Sequence, residues 1–199
     1  MNCLPLHLRA RRVPAAVVAA LSTSGLAWLA WYLASDHPKV GPPLAAITVA
    51  LACVAVSVTL AGDDEALERT GSLPWPQVRA LHLLIAFVLL TGLFVGTRAT
   101  PVQFGSVAFV TRDIAGLLGL TALGSTVLGA QRAWLAPVCL SVISVFWGAP
   151  SSRPSLQILT WTTQPTGTTA STITAVGLAA LGAGVYVHGR AGLPRTENL

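Results

Sequence analysis

The sequence predicts an all-α fold: a polytopic membrane helix bundle of about six transmembrane helices with both termini in the cytoplasm. Three observations predict it. Hydrophobic residues make up 53% of the 199 residues and charged residues only 10%, with a mean hydropathy of +0.69; soluble domains carry about 25% charged residues. Six apolar stretches recur along the chain, separated by short polar, glycine- or proline-containing links. Arginines concentrate on alternate links, the pattern that orients membrane proteins with their basic segments inside.

The first expected span is residues 14–34. Arg9, Arg11 and Arg12 directly precede it and hold the N-terminus inside. A cleaved signal peptide has a similar start, but its apolar core is about 7–15 residues. This stretch is longer and ends in Trp28, Trp31 and Tyr32, an aromatic belt that suits a retained helix. The link from Ser35 to Pro43 carries Asp36, His37, the single lysine Lys39 and three prolines, and reads as an outer turn. The second span is residues 44–61.

The most charged stretch of the chain follows. Between Gly62 and Gly71 stand Asp63, Asp64, Glu65, Glu68 and Arg69. Asp63 and Asp64 suit the first turn of a short helix, where carboxylates favour the positive end of the helix dipole. Glu65 and Arg69 have the favourable i, i+4 order. The stretch reads as a short cytoplasmic helix, and its simplest role is a solvated connector.

Trp75 and Pro76 mark the interface before the third span, residues 77–97, with proline in the first turn. Residues 98–104 form an outer link. The fourth span, 105–129, and the fifth, 134–147, make a hairpin around Gly129-Ala130-Gln131-Arg132. Residues 149–169, rich in Pro, Ser and Thr, read as a long outer loop, with Ser155 to Trp161 lying on the surface. The sixth span is 170–187, so that residues 1–190 form a single transmembrane domain and 191–199 a short tail. With six spans, Arg9, Arg11, Arg12, Arg69, Arg79, Arg132, Arg190 and Arg195 are cytoplasmic, against Lys39, Arg98, Arg112 and Arg153 on or near the outside. That two-to-one bias supports the orientation.

All six spans are short of internal charge except the fourth. Sixteen residues separate Asp113 from Gly129, about 24 Å of helix in a hydrocarbon core about 30 Å thick, so Asp113 lies just inside the outer boundary. An ionisable residue inside a span is a functional-site hypothesis by default. Arg112 and Asp113 are adjacent, so their side chains leave the helix about 100° apart and pair poorly with each other. Each then needs another partner, water or a headgroup, and Arg112 can also snorkel. The same span carries Gly116, Gly119, Gly124, Ser125 and Gly129, small residues that let helices approach closely in lipid. This places the span at the centre of a bundle or at a dimer interface. Gly177, Gly182 and Gly184 suggest the same for the last span.

Several chemistries have no signature. There is no GxxxxGK[ST] loop, GxSxG elbow, HExxH motif or Cys/His ligand cluster. Cys3, Cys53 and Cys139 are isolated, and His7, His37, His82 and His188 fall at expected span edges. No catalytic residue, metal site or cofactor is expected, and no basic face suits nucleic acid.

The charged segment containing Ala66-Leu-Glu-Arg-Thr70, and the run Arg112-Asp-Ile-Ala-Gly-Leu-Leu-Gly-Leu120 opening a glycine-rich span, resemble small six-span membrane subunits of high-GC Gram-positive bacteria that are similar to ABC-type exporter permeases. The resemblance implies a permease half in the bacterial plasma membrane, working with a separate ATPase and paired as a homo- or heterodimer. It implies that Asp63, Asp64, Glu65, Glu68 and Arg69 form an ATPase-coupling helix, and that Arg112 and Asp113 line the outer part of a route or lock helices there. The alternative is a non-transporting assembly or anchoring subunit of a larger complex. A secondary transporter would show inverted repeats, and residues 14–97 and 105–187 share no convincing echo.

Overall fold

The computed structural model describes residues 13–60, 75–148 and 150–188, and these are helical apart from turns, connectors and one isolated backbone bridge. Seven α-helices follow in order: α1 (Val13–Ala34), α2 (Pro42–Leu60), α3 (Trp75–Gly96), α4 (Val107–Val127), α5 (Leu135–Trp147), α6 (Pro154–Leu159) and α7 (Thr169–His188). Helices α1, α2, α3, α4 and α7 are long and apolar enough to cross a membrane. The charged segment 63–69, with its expected coupling helix, lies outside the described residues, as do Arg9, Arg11, Arg12, Arg190 and Arg195.

Local chemistry explains the boundaries. Pro42 and Pro43 open α2, where the missing amide donors cost nothing. The Ser106 hydroxyl accepts from the Phe109 amide, 3.2 Å away, and caps α4. Gly129 ends the following turn with φ of +82°, a conformation that disfavours any side chain.

Two ends of the bundle can be told apart by their connectors. At one end the Val40 amide donates to the Gln103 carbonyl (2.9 Å) and the Gln103 amide to the Pro38 carbonyl (2.7 Å), tying the α1–α2 link to the α3–α4 link. Trp28 Nε1 also donates to Thr100 Oγ1 there (3.0 Å), while Trp28 stacks on Tyr32. At the other end the Tyr186 hydroxyl donates to the Leu60 carbonyl (3.2 Å), and Arg79 Nη1 to the Tyr186 carbonyl (3.3 Å). Helix α7 therefore runs in the same direction as α4. The chain between them must climb back through the bundle.

It does so in an unexpected way. The expected fifth span is the 13-residue helix α5, about 20 Å long and short of a hydrocarbon core of about 30 Å. The stretch expected as a long outer loop is also partly helical and partly buried. After α5 come the short helix α6 and the irregular segment 160–168, termed the strap below. Thr160, Trp161 and Thr162 are fully enclosed, and Thr163 and Gln164 are buried. The surface placement of Ser155 to Trp161 holds for Ser155, Ile158 and Leu159, which are exposed, and fails at Thr160 and Trp161, which are buried. Thr160, Thr163 and Gln164 point inward and bond one another and the backbone, whereas Thr162 Oγ1 and Trp161 Nε1 are enclosed without a hydrogen-bond partner.

Helix α4 sits at the centre, packed against α2, α3, α5 and α7, and most extensively against α7. Around it, Phe94 and Phe104 meet edge to face at the connector end. Helices α1 and α3 turn rows of large apolar side chains outward, among them Leu26, Leu29 and Leu33 and Leu84, Val88 and Leu89. Such faces match a surrounding lipid phase.

Candidate functional site: the buried Arg112–Asp113 pair and its strap

The glycines of α4 create the room for this site. A β-carbon on Gly116 would collide with the indole of Trp161, so this glycine is the notch that admits the strap rather than a helix-packing residue. Gly119 is a helix contact as expected: a β-carbon there would stand 2.5 Å from Ala179 Cα and from the Leu178 carbonyl oxygen of α7. Gly182 faces back onto the Gly119 backbone. Gly124 lets the turn after α4 fold close, with Ala133 Cα 3.3 Å from its would-be β-carbon. Ser125 is half-buried and bonds its own helix through the Ala122 carbonyl (2.7 Å). Gly129 corrects the packing expectation, because a β-carbon there would meet nothing within 4 Å and its positive φ serves the turn. Gly177 and Gly184 likewise face open space.

Arg112 and Asp113 do pair, contrary to the sequence expectation. Arg112 Nε donates to Asp113 Oδ1 at 3.0 Å and Nη2 approaches the same oxygen at 2.9 Å. The 100° separation applies to the β-carbons, but the long arginine chain curls around the helix until its guanidinium edge reaches the neighbour. Nor does Arg112 snorkel into solvent. It is 8% exposed, and Asp113 is 0% exposed.

The rest of the guanidinium is committed to the strap. Nη2 donates to the Gln164 carbonyl (2.9 Å), Nη1 to the Pro165 carbonyl (3.2 Å), and the group lies over the Phe109 ring at 5.3 Å. The planar, multi-donor arginine head is suited to such a fork, where lysine would offer a point charge. One side chain therefore joins the buried carboxylate to the backbone of the strap. Asp113 Oδ2, in contrast, is enclosed without a hydrogen-bond partner.

Irregular backbone at membrane depth is tolerated only where its polar groups are satisfied internally. The strap meets that condition largely with its own side chains. Thr160 Oγ1 donates to the Leu156 carbonyl (2.7 Å) and accepts from Gln164 Nε2 (2.8 Å). The Thr163 hydroxyl lies 3.0 Å from the Thr160 carbonyl and 3.3 Å from those of Ser144 and Gly148. Ser144 Oγ donates to the Leu159 carbonyl (3.3 Å) and Ser171 Oγ to the Gln157 carbonyl (3.1 Å), stitching the segment to α5 and α7. Gln157 Nε2 closes the set on the Ser151 carbonyl (2.6 Å).

Thr160, Trp161, Thr163 and Gln164 were not among the residues the sequence singled out. A signal was present, since no Asp, Glu, Lys or Arg occurs between Arg153 and Arg190. A charge-free polar stretch can enter a bundle; a charged one rarely does.

At the opposite end the Thr59 hydroxyl lies 2.9 Å from His82 Nε2, joining α2 to α3. Cys53 is buried and Cys139 exposed, both as free thiols. Among the described residues no three His, Cys, Asp or Glu side chains converge as a metal site would require.

No protein-family model matches the chain, and neither a curated protein nor a solved structure matches it.

Proposed function

We propose that the chain is an integral membrane subunit of a transporter, an ABC-type permease half that works with a separate ATPase in the bacterial plasma membrane. The observation that carries this reading is the buried Arg112–Asp113 pair fastened to a polar strap on one side of the central helix. Ionisable groups are expensive to bury inside a membrane bundle, which makes such a pair a functional-site hypothesis by default.

Orientation follows from charge. Arg79 and Arg132 lie at the end where α2 finishes and α3 begins, while Lys39, Arg98 and Arg153 lie toward the other. Taken with Arg9, Arg11, Arg12, Arg69, Arg190 and Arg195 in the sequence, the first end is cytoplasmic and the strap faces out. Val13 and His188 share the cytoplasmic end, and α5 with the segment after it makes a sixth crossing. Asp63, Asp64, Glu65, Glu68 and Arg69, which fall between Leu60 and Trp75 in the sequence, are then the proposed coupling segment for the ATPase. A dimer would complete the pathway.

The test is purification of the tagged chain from its native membrane in mild detergent, with co-purifying proteins identified by mass spectrometry. A stoichiometric nucleotide-binding ATPase is expected, and Glu68→Ala with Arg69→Ala should uncouple it while leaving the bundle folded. Recovery of the chain alone removes the permease reading, and transport unchanged in that variant removes the coupling role of Glu68 and Arg69. A non-transporting assembly or anchoring subunit is the second reading, favoured by the way Trp161 and the strap fill one side of the bundle.

A further inference from the structure

The Arg112–Asp113 pair has an asymmetry that packing alone does not require. Both contacts from Arg112 fall on Oδ1, while Oδ2 is buried and without a partner. The arginine spends its other contacts on the carbonyls of Gln164 and Pro165. The carboxylate thus has one oxygen that anchors the strap through arginine and one lone-pair site that is vacant. A proton is the ligand that such an oxygen takes without any cavity.

We propose that Asp113 is a proton-binding site that controls the strap. With Asp113 ionised, the pair is neutral overall and Arg112 stays buried, gripping the strap carbonyls. A proton arriving from the aqueous side at the strap end forms an O–H bond on Oδ2, and no other bond is made or broken. The buried site then carries the uncompensated charge of Arg112. A lone guanidinium in a membrane interior moves toward the nearer boundary by snorkelling, and that boundary is close: Arg112 is five residues into α4, about 8 Å along the axis. As it moves it drops the two carbonyls, and the strap loses the hydrogen bonds by which Arg112 ties it to α4.

Few other charges compete. On the elements packed against α4, the described titratable groups are Cys53 on α2, Arg79 and His82 on α3, Arg132 on the short turn beyond the far end of α4, Cys139 on α5, and Tyr186 and His188 on α7. Arg79, His82, Tyr186 and His188 belong to the opposite end, and Cys139 lies near the start of α5, on that same side. The buried Cys53 is the remaining neighbour, and a thiol there is a neutral one. This inference does not depend on the transporter reading, since a strap of this kind would respond to protons in either class of protein.

The test uses the full chain in proteoliposomes, with Cys3, Cys53 and Cys139 replaced by alanine and a single cysteine introduced as Thr162→Cys, in the enclosed part of the strap. The rate of modification by a small methanethiosulfonate reagent is divided by the rate for Thr166→Cys, an exposed strap position, to remove the intrinsic pH dependence of thiols. The ratio should rise as pH falls, by up to about tenfold per pH unit, the limit for one linked proton. Asp113→Asn should hold the ratio high at every pH, and Asp113→Glu should restore a pH response. A ratio that is flat with pH, that stays low in Asp113→Asn, or that follows sodium instead of pH overturns the proposal. If Thr162→Cys does not fold, hydrogen exchange of residues 160–168 in the unmodified chain replaces it. Faster exchange in Asp113→Asn than in the parent at one pH supports the proposal, and equal exchange rejects it.

Discussion

Trp161 lies against Gly116, one turn of helix beyond Asp113, with its ring atoms Cζ3 and Cζ2 2.9 and 3.0 Å from the place a β-carbon of Gly116 would occupy. The contact fixes how far the strap enters. Gly116 is nine residues into α4, so the indole reaches about 14 Å along the central helix. Arg112 then holds the strap one turn nearer the helix start, which makes two attachments on one face.

This contact predicts a strongly non-additive pair of substitutions. Gly116→Ala pushes a methyl group into a rigid ring and should destabilise the bundle by about 1–3 kcal/mol, the usual cost of overpacking. Trp161→Ala leaves a cavity and should cost about 3–5 kcal/mol. In the Trp161→Ala background, Gly116→Ala should cost little or nothing. Equilibrium unfolding in mild detergent gives the three values, and simple additivity would contradict the notch.

The charge pair predicts a second cycle. Arg112→Ala leaves Asp113 buried without its partner and should cost about 3–5 kcal/mol, whereas the double replacement Arg112→Ala with Asp113→Ala removes both members and should be milder than Arg112→Ala alone. Arg112→Lys should not restore the parent, because a lysine cannot serve Asp113 and two carbonyls at once. Thermal unfolding of the purified variants in detergent ranks them, and a double variant less stable than Arg112→Ala would count against a paired site.

Glycines of α7 that look alike in sequence should separate in experiment. Gly182→Ala drives a methyl group into the Gly119 backbone and should destabilise the α4–α7 contact by about 1–3 kcal/mol. Gly177→Ala meets open space and should be neutral or stabilising by up to about 1 kcal/mol, the difference in helix propensity. Detergent melting curves of the two variants decide it.

At the opposite end, Tyr186→Phe deletes the hydrogen bond to the Leu60 carbonyl while keeping the ring beneath Arg79. Hydrogen bonds between membrane helices contribute about 0.6 kcal/mol on average, so a loss of about 0.5–1.5 kcal/mol is expected. A larger loss, seen in the same unfolding measurement, would show that the hydroxyl organises more than the bond to Leu60.

Much of the bundle is legible in the residue pattern because length and apolarity leave a long segment few alternatives. Residues 14–34, 44–61, 77–97, 105–129 and 170–187 were expected as spans, and the corresponding helices differ from them by a few residues at each end. The centrality of the fourth span was readable from Gly119, where two backbones can only meet without side chains between them. The fifth stretch misled because an apolar run of 14 residues is compatible with a span, a short buried helix or a returning segment, and composition alone does not choose.

The candidate site was half legible. Arg112 and Asp113 stand out in any apolar sequence, but neighbouring residues on a helix do not ordinarily pair, and the chain-length argument that lets arginine curl back depends on what surrounds it. Gln164 and Pro165 meet Arg112 through their carbonyls, which every residue carries, so no residue type announces the contact. Gly129 had the composition of a packing glycine and the conformation of a turn.

By itself the sequence determined that the chain is a helical protein with membrane-spanning dimensions, where its long helices lie, and that its one intrahelical charge pair would be exceptional, because hydropathy, length and charge placement are properties of the chain. Only the tertiary structure decided that α5 is too short to span alone, that residues 160–164 are buried, and that Arg112 joins Asp113 to the strap backbone. Those outcomes depend on hydrogen bonds between groups about fifty positions apart in the chain and on a notch one side chain wide, and neither leaves a periodic mark in the sequence.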